Sequence, residues 1–137
     1  MSPIRVLLVE DTRDDESLTL RGLRGIADGI EVSVVRDGAA ALDHLQSGGP
    51  LPALVIVDLK LPKVDGAEVL RRIRENEGLR HLCVVVFTSS SEPRDISRCY
   101  ALGCNSYVIK PVAYESYIDA VRQISRYWLQ LNTPPRD

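Results

Sequence analysis

The sequence predicts a doubly wound α/β domain, one five-stranded parallel sheet with five helices over its two faces. Two observations carry this. Short, wholly apolar and largely β-branched runs occur at residues 53–57 (ALVIV) and 82–87 (LCVVVF), the pattern of strands buried on both faces of a sheet. Strand-like and helix-like periods then alternate five times, the order of a parallel sheet with crossover helices. A chain of 137 residues suits one domain with one core.

The first strand is read at residues 4–9 (IRVLLV), ending in Glu10 and Asp11. The polar stretch 12–17 opens a helix, because acidic residues suit the positive end of a helix dipole. Leu18, Leu20, Leu23 and Ile26 give that helix an apolar side, and Asp28-Gly29 is expected to stop it. Residues 30–35 (IEVSVV) alternate as a half-buried strand does. After Asp37-Gly38, a short helix carries Ala39, Ala41, Leu42 and Leu45 and closes at Gly48-Gly49-Pro50. The apolar run into Asp58 is the third strand. A helix over residues 66–76 places Val69, Leu70 and Ile73 inside and Arg71, Arg72, Arg74 and Glu75 in water. The fourth strand, 82–87, ends in Thr88-Ser89-Ser90-Ser91. Glu92-Pro93 starts a helix with proline in its favoured first turn. Ile96, Cys99 and Tyr100 face inward there, and Gly103 ends it. Residues 106–109 (SYVI) form a short strand before Lys110-Pro111. A last helix from about Tyr114 repeats apolar residues at Tyr117, Val121, Ile124, Trp128 and Leu131. The stretch 132–137 reads as disordered.

Composition narrows the function classes. With 45% hydrophobic and 26% charged residues the chain falls among soluble globular proteins. A net charge of -2 gives no sign of a nucleic-acid surface. No run approaches the roughly 18 apolar residues of a membrane span. Glu10 and Asp11 interrupt the first apolar stretch too early for a signal peptide, so a cytoplasmic location is expected. Cys83, Cys99 and Cys104 lack CxxC spacing and read as reduced thiols. His44 and His81 read as surface residues.

In a parallel sheet all strand C-termini share one edge, where open α/β folds place their sites. That edge collects Glu10-Asp11, Asp58, Thr88 and Lys110. Taken singly, each has a plain structural reading as a cap, a turn residue or an exposed charge. Taken together they are complementary. Three crowded carboxylates repel one another, and a hard divalent cation such as Mg²⁺ relieves this. A carboxylate nucleophile, a cation, a lysine and a hydroxyl suit phosphoryl transfer. Asp58, central and followed by a turn that can expose it, is the best nucleophile candidate. No Walker A loop, Gly-rich nucleotide loop or catalytic triad is present, so the phosphoryl donor comes from elsewhere.

At these positions the chain resembles the receiver domains of two-component response regulators. The matching pieces are Val9-Glu10-Asp11, residues 58–62 (DLKLP) with Asp65-Gly66, residues 86–89 (VFTS) and residues 107–111 (YVIKP). The resemblance implies the flavodoxin-like receiver fold, with strand order 2-1-3-4-5. It implies phosphorylation of Asp58 by a histidine kinase. Mg²⁺ would be held by Glu10, Asp11, Asp58 and the Lys60 backbone carbonyl. Thr88 and Lys110 would contact the phosphoryl group. Tyr107 would be an aromatic switch that turns inward as Thr88 moves toward the phosphate, reshaping the surface of the fourth helix and fifth strand. The receiver is expected to span 1–131, with 132–137 a flexible tail and no output domain.

Three further features bear on partners. Residues 125–131 (SRYWLQL), Glu10-Asp11 with Asp14-Asp15, and residues 88–91 (TSSS) are similar to the small stand-alone regulators paired with bacterial phytochrome kinases. Thr12 and Lys60 depart from that pattern, standing where those relatives often have asparagine. Lys60, two residues past Asp58, is expected to change the lifetime of a phosphorylated state. Trp128 and Leu131 extend the last helix beyond what one small sheet needs, so a homodimer through this helix, with the fourth helix and fifth strand, is expected.

Rival functions fit less well. A phosphohydrolase needs a second acid near the nucleophile, and position 60 is lysine. A flavin binder needs a Ser/Thr-rich phosphate loop where Glu10-Asp11 stands. A pseudo-receiver would not keep the carboxylates, threonine and lysine together. Within the main reading, the alternatives to a switch are a phosphorelay intermediate and a phosphate sink for the kinase. Beyond its own phosphorylation and dephosphorylation, no enzymatic turnover is expected.

Overall fold

The computed structural model describes residues 3–26 and 29–135. Five strands and five α-helices alternate: β1 (Ile4–Val9), α1 (Arg13–Arg24), β2 (Ile30–Val35), α2 (Gly38–Gln46), β3 (Leu54–Val57), α3 (Gly66–Glu75), β4 (Val84–Thr88), α4 (Pro93–Leu102), β5 (Ser106–Ile109) and α5 (Tyr114–Ser125). All strand pairs are parallel, in the order β2-β1-β3-β4-β5. This is the doubly wound arrangement and the strand order that the resemblance implies. Among the described residues, no helix is long and apolar enough to cross a membrane.

Strand alternation divides the core in two. Leu7, Val9, Val55, Val57, Val84 and Val86 face one side and pack on Leu42, Leu45, Val69, Leu70, Ile73 and Cys99 of α2, α3 and α4. Val6, Leu8, Leu54, Ile56, Val85 and Phe87 face the other and pack on Leu23 of α1 and Tyr117, Val121 and Ile124 of α5. Both faces are therefore covered, which is why β3 is apolar throughout and β4 is apolar up to its last residue, Thr88. A Cβ on Gly22 of α1 would lie 2.6 Å from the Val121 Cβ of α5, so glycine sets how closely these two helices approach.

Several sequence expectations need correction. Helix α1 stops at Arg24, with Gly25 as its cap, so Ile26 lies beyond it and the expected stop comes too late. Asp28 lies outside the described residues. The buried stripe of α1 is Thr19, Gly22 and Leu23, while Leu18 and Leu20 are half-buried. Strand β4 begins at Val84, because the Leu82 N–H closes a turn on the Leu79 carbonyl (3.0 Å), and it includes Thr88. In α4 only Cys99 is fully buried; Ile96 is half-buried and Tyr100 is 52% exposed. This helix lies beside the edge strand β5, so its buried stripe is narrow.

Arg74 is not a water-facing residue. Its guanidinium donates to the carbonyls of Gly103 (2.8 Å), Leu82 (2.7 Å) and Arg80 (3.0 Å) and to Asn105 Oδ1 (2.8 Å). It clamps the end of α3 to the turns on either side of α4 and β4. Burial holds its pKa below the ordinary arginine value.

The last helix changes pitch. From Arg126 to Leu131 the chain is π-helical. Bonds of the i→i+5 kind rotate successive residues differently from an α-helix, so steps of three and four no longer share a face. Trp128 is half-buried and packs on its own domain beside Leu129, against the α1/α5 core. Leu131 is 73% exposed, and neighbouring Tyr127 is also exposed. Of the expected 132–137 tail, residues 136 and 137 lie outside the described residues. The three cysteines are free thiols; burial pushes Cys83 up to about 12 and Cys99 up to about 11. His44 and His81 are exposed, as expected.

Candidate functional site

The C-terminal ends of β1, β3, β4 and β5 meet at one point. The Glu10 N–H bonds the Val35 carbonyl (3.0 Å), and the Asp58 N–H bonds the Val9 carbonyl (3.1 Å), so both acids continue their strands by one residue. The Lys110 N–H bonds the Thr88 carbonyl (2.7 Å), continuing β5 in the same way. These ladder bonds fix where each functional side chain leaves the sheet.

The Lys110 ammonium sits at the centre. It donates to Glu10 Oε1, Asp58 Oδ2 and Asp15 Oδ2, each at 2.7 Å. An ammonium has three donors, and all three are used on carboxylates. Burial works against its charged form, but the bonds to Asp15, Asp58 and Glu10 outweigh it and hold Lys110 above the ordinary lysine range. Glu10 is 2% exposed. Burial pushes its carboxyl above the usual range, offset only in part by Lys110 and Thr12. Glu10 Oε2 accepts from the Thr12 hydroxyl (2.8 Å) and N–H (3.2 Å). Thr12 precedes α1 as its N-cap residue yet makes no side-chain cap; its hydroxyl serves the site instead. Asp37 and Asp65, by contrast, cap α2 and α3 through the N–H groups of Ala40 (2.7 Å) and Glu68 (2.9 Å).

Three carboxylates around one ammonium leave the group negative. Oxygens of Glu10, Asp15 and Asp58 all lie within 4.8 Å of one another. Such a set of hard oxygen donors fits a divalent cation. Asp11 is exposed and is not among these three. The third carboxylate is Asp15, from the first turn of α1. The sequence reading had Asp15 as an acid suited to a helix start and, with Asp14, as part of the likeness to small stand-alone regulators, but not as a site residue; its spacing of four from Asp11 was the available signal. Lys60 is exposed, and its N–H approaches Asp58 Oδ1 at 3.4 Å.

Thr88 is 1% exposed, and its hydroxyl has no hydrogen-bond partner among the described residues. A buried, unpaired hydroxyl beside a strand end is costly unless something reaches it. Tyr107 is half-buried in β5, and its phenol donates to the Ser90 carbonyl (2.8 Å). It thus ties β5 to the loop that follows Thr88. Burial raises its pKa, with the Ser90 bond opposing.

This fold and this set of strand-end residues define a receiver-type signalling domain. The chain belongs to the response regulator receiver domain family, whose model matches residues 6–122. Among curated proteins it is 42% identical to the probable methanogenesis regulatory protein FilR2 of Methanothrix harundinacea, over 97% of this chain and 88% of that protein. It is 37% identical to the response regulator Rcp1 of Synechocystis sp., over 97% of this chain and 94% of that protein. The crystal structure of the Mn(2+)-bound form of Rcp1 superposes with a TM-score of 0.91, covering 98% of this chain and 100% of that one. The phosphorylated cyanobacterial phytochrome response regulator RcpA superposes with a TM-score of 0.94 at 33% identity, covering 98% of this chain and 100% of that one.

Proposed function

We propose that this protein accepts a phosphoryl group on Asp58 from a phosphohistidine of a sensor histidine kinase of the phytochrome type, and that phosphorylation switches a partner-binding surface. The observation that carries this is the 2.7 Å bond between Lys110 and Asp58, with Glu10 on the same ammonium and the unpaired Thr88 hydroxyl at the end of β4. The kinase class rests on the likeness to the cyanobacterial phytochrome response regulator RcpA and the bacteriophytochrome response regulator RtBRR.

In the transfer an Asp58 oxygen forms the new P–O bond as the P–N bond to the imidazole breaks. The bond pair leaves on the imidazole nitrogen. Lys110 neutralises charge on a phosphoryl oxygen, and the Thr88 hydroxyl donates to another. Glu10 and Asp58, with Asp11 at the exposed rim and the Lys60 carbonyl, would hold Mg²⁺, which supplies further neutralisation of that charge. Once Thr88 has an acceptor, Tyr107 exchanges its bond to Ser90 for the space beside Thr88, and α4 and β5 change shape. Lys60, exposed two residues from Asp58, sets the lifetime of the acyl phosphate.

The test is Mg²⁺ with acetyl phosphate or beryllofluoride. Wild type is expected to take up one phosphoryl group from acetyl phosphate, or to bind one beryllofluoride, per chain, and Asp58→Asn to do neither. Equal uptake by the variant, or none by wild type, sinks the proposal. The same reading includes a symmetric homodimer through the C-terminal helix together with α4 and β5. Tyr127, Leu131, Tyr100 and Ile109, all exposed, supply its apolar contacts. Light scattering at micromolar concentration is expected to give twice the chain mass; a monomer mass rejects the dimer.

A further inference from the structure

We propose that Asp15 is a positioning residue of this site: it shares the Lys110 ammonium with Asp58, and so sets how strongly Lys110 engages a phosphoryl group there. The inference rests on Asp58 being the acceptor.

Asp15 enters the site from a helix, not from a strand end. Its carboxylate takes one of the three Lys110 bonds (2.7 Å), although its side chain is 32% exposed. What holds it there is buried. The Asp15 carbonyl accepts from the Thr19 hydroxyl (2.8 Å). The Tyr117 phenol lies 3.0 Å from the Thr19 oxygen and 3.3 Å from the Asp15 carbonyl, and its one proton serves either acceptor, joining α5 to α1. Thr19 is 0% and Tyr117 3% exposed. The Tyr117 ring packs edge-on against Phe87 (5.0 Å), the residue before Thr88. The first turn of α1 is thus pinned to the sheet and to α5, and it presents a fixed negative charge to Lys110.

A fixed anion on Lys110 competes with any anion arriving at Asp58. A phosphoryl group brings more charge to Asp58 than its carboxylate carried. Lys110 then has to divide itself between that group, Glu10 and Asp15. Removing the Asp15 charge frees the ammonium for the newcomer.

The experiment measures beryllofluoride affinity by fluorine NMR at saturating Mg²⁺, for wild type, Asp15→Asn, Asp15→Glu and Asp14→Asn. Asp14 is exposed and one residue away, so its variant makes the same change in net charge without touching Lys110. Asp15→Asn is expected to bind about fivefold more tightly than wild type. Asp14→Asn and Asp15→Glu are expected to stay within about twofold of wild type, at the scale of an exposed charge. Merely structural damage at Asp15 would lower affinity, and that result overturns the proposal. So do equal affinities for Asp15→Asn and Asp14→Asn. A loss of Mg²⁺ affinity in Asp15→Asn, with no gain for beryllofluoride, makes Asp15 a cation ligand instead and also overturns it. Failure of wild type to bind beryllofluoride overturns the acceptor reading itself, and is distinguishable because all four proteins then fail alike.

Discussion

Lys110→Met is expected to abolish phosphoryl uptake at Asp58 on the time scale of the wild-type reaction, and to make the fold's stability depend on pH and on divalent cations. The first effect follows from transition-state charge. Losing one well-placed donor to a developing anion costs about 10²–10³ in rate. The second follows from what the ammonium leaves behind. The side chains of Glu10 and Asp58 are only 3% and 12% exposed, and in the wild type both bond Lys110. Removing one partner of a buried ion pair costs about 3–5 kcal/mol. Glu10 can recover part of that by taking up a proton, because burial already raises its pKa above the ordinary glutamate value. Without the lysine it rises further. An acid whose folded pKa lies above its unfolded value binds more protons in the folded state, so the stability of the variant rises as pH falls through the folded pKa toward the ordinary glutamate value. Urea unfolding at pH 5 and pH 7 checks this directly. The variant is expected to recover on acidification, and to recover at pH 7 when Mg²⁺ replaces the missing charge. Wild-type rates of uptake, or a stability indifferent to both pH and Mg²⁺, would contradict the central place given to Lys110. Asp58→Asn, which removes one of the three carboxylates, is expected to remain folded without such help.

How much of this was legible in the sequence depends on the range of the interactions involved. Period and punctuation are local, and they located every strand and helix. The edge of the sheet on which Glu10, Asp58, Thr88 and Lys110 converge was also legible, because parallel strands put all C-termini on one side whatever their separation in sequence. What local patterns do not carry is the azimuth of a polar side chain on a helix. Asp15 reads as an acid at a helix start, yet it turns to Lys110, a residue 95 positions away. Arg74 shares the wet-side pattern of Arg71 and Arg72. Arg71 and Arg72 pair with Glu68 on their own helix, whereas Arg74 reaches carbonyls of two turns that only the folded chain brings near. The stripe through Leu131 failed for a different reason. Its spacing assumes 3.6 residues per turn, and the backbone departs from that at Arg126. Tyr100 shows the limit of apolar counting, since a ring at a helical position beside an edge strand has little sheet to cover.

Gly66→Ala carries the second large effect, and it tests whether the turn after β3 is as constrained as the site requires. A Cβ at this position would sit 2.1 Å from the Asp58 carbonyl oxygen and 2.8 Å from the Leu59 Cα. These are backbone atoms, so no side chain can swing aside. The turn has little slack elsewhere. The Gly66 N–H bonds the Leu59 carbonyl (2.8 Å), and the Val64 N–H bonds the Pro62 carbonyl (2.8 Å). Lys63 already stands at φ 67, a left-handed conformation that costs a non-glycine residue about 1–2 kcal/mol. The methyl group therefore has to lift the start of α3 away from the end of β3. Overpacking of this kind costs about 1–3 kcal/mol. The loss in phosphoryl uptake should exceed what that stability change implies, because the backbone displaced is that of Asp58 itself, with Lys60 next in line. Gly48→Ala is the contrasting case: its φ of +85 is unsuited to a side chain, but a Cβ there meets nothing within 4 Å, whereas at Gly66 the penalty is the contact alone. That variant is expected to lose about 1 kcal/mol and to keep wild-type uptake. Denaturant midpoints and phosphorylation rates for the two variants separate the cases. If both lose stability alike and both keep their rates, the turn is softer than its contacts indicate, and close approach of Gly66 to Asp58 is not what holds the acceptor in place.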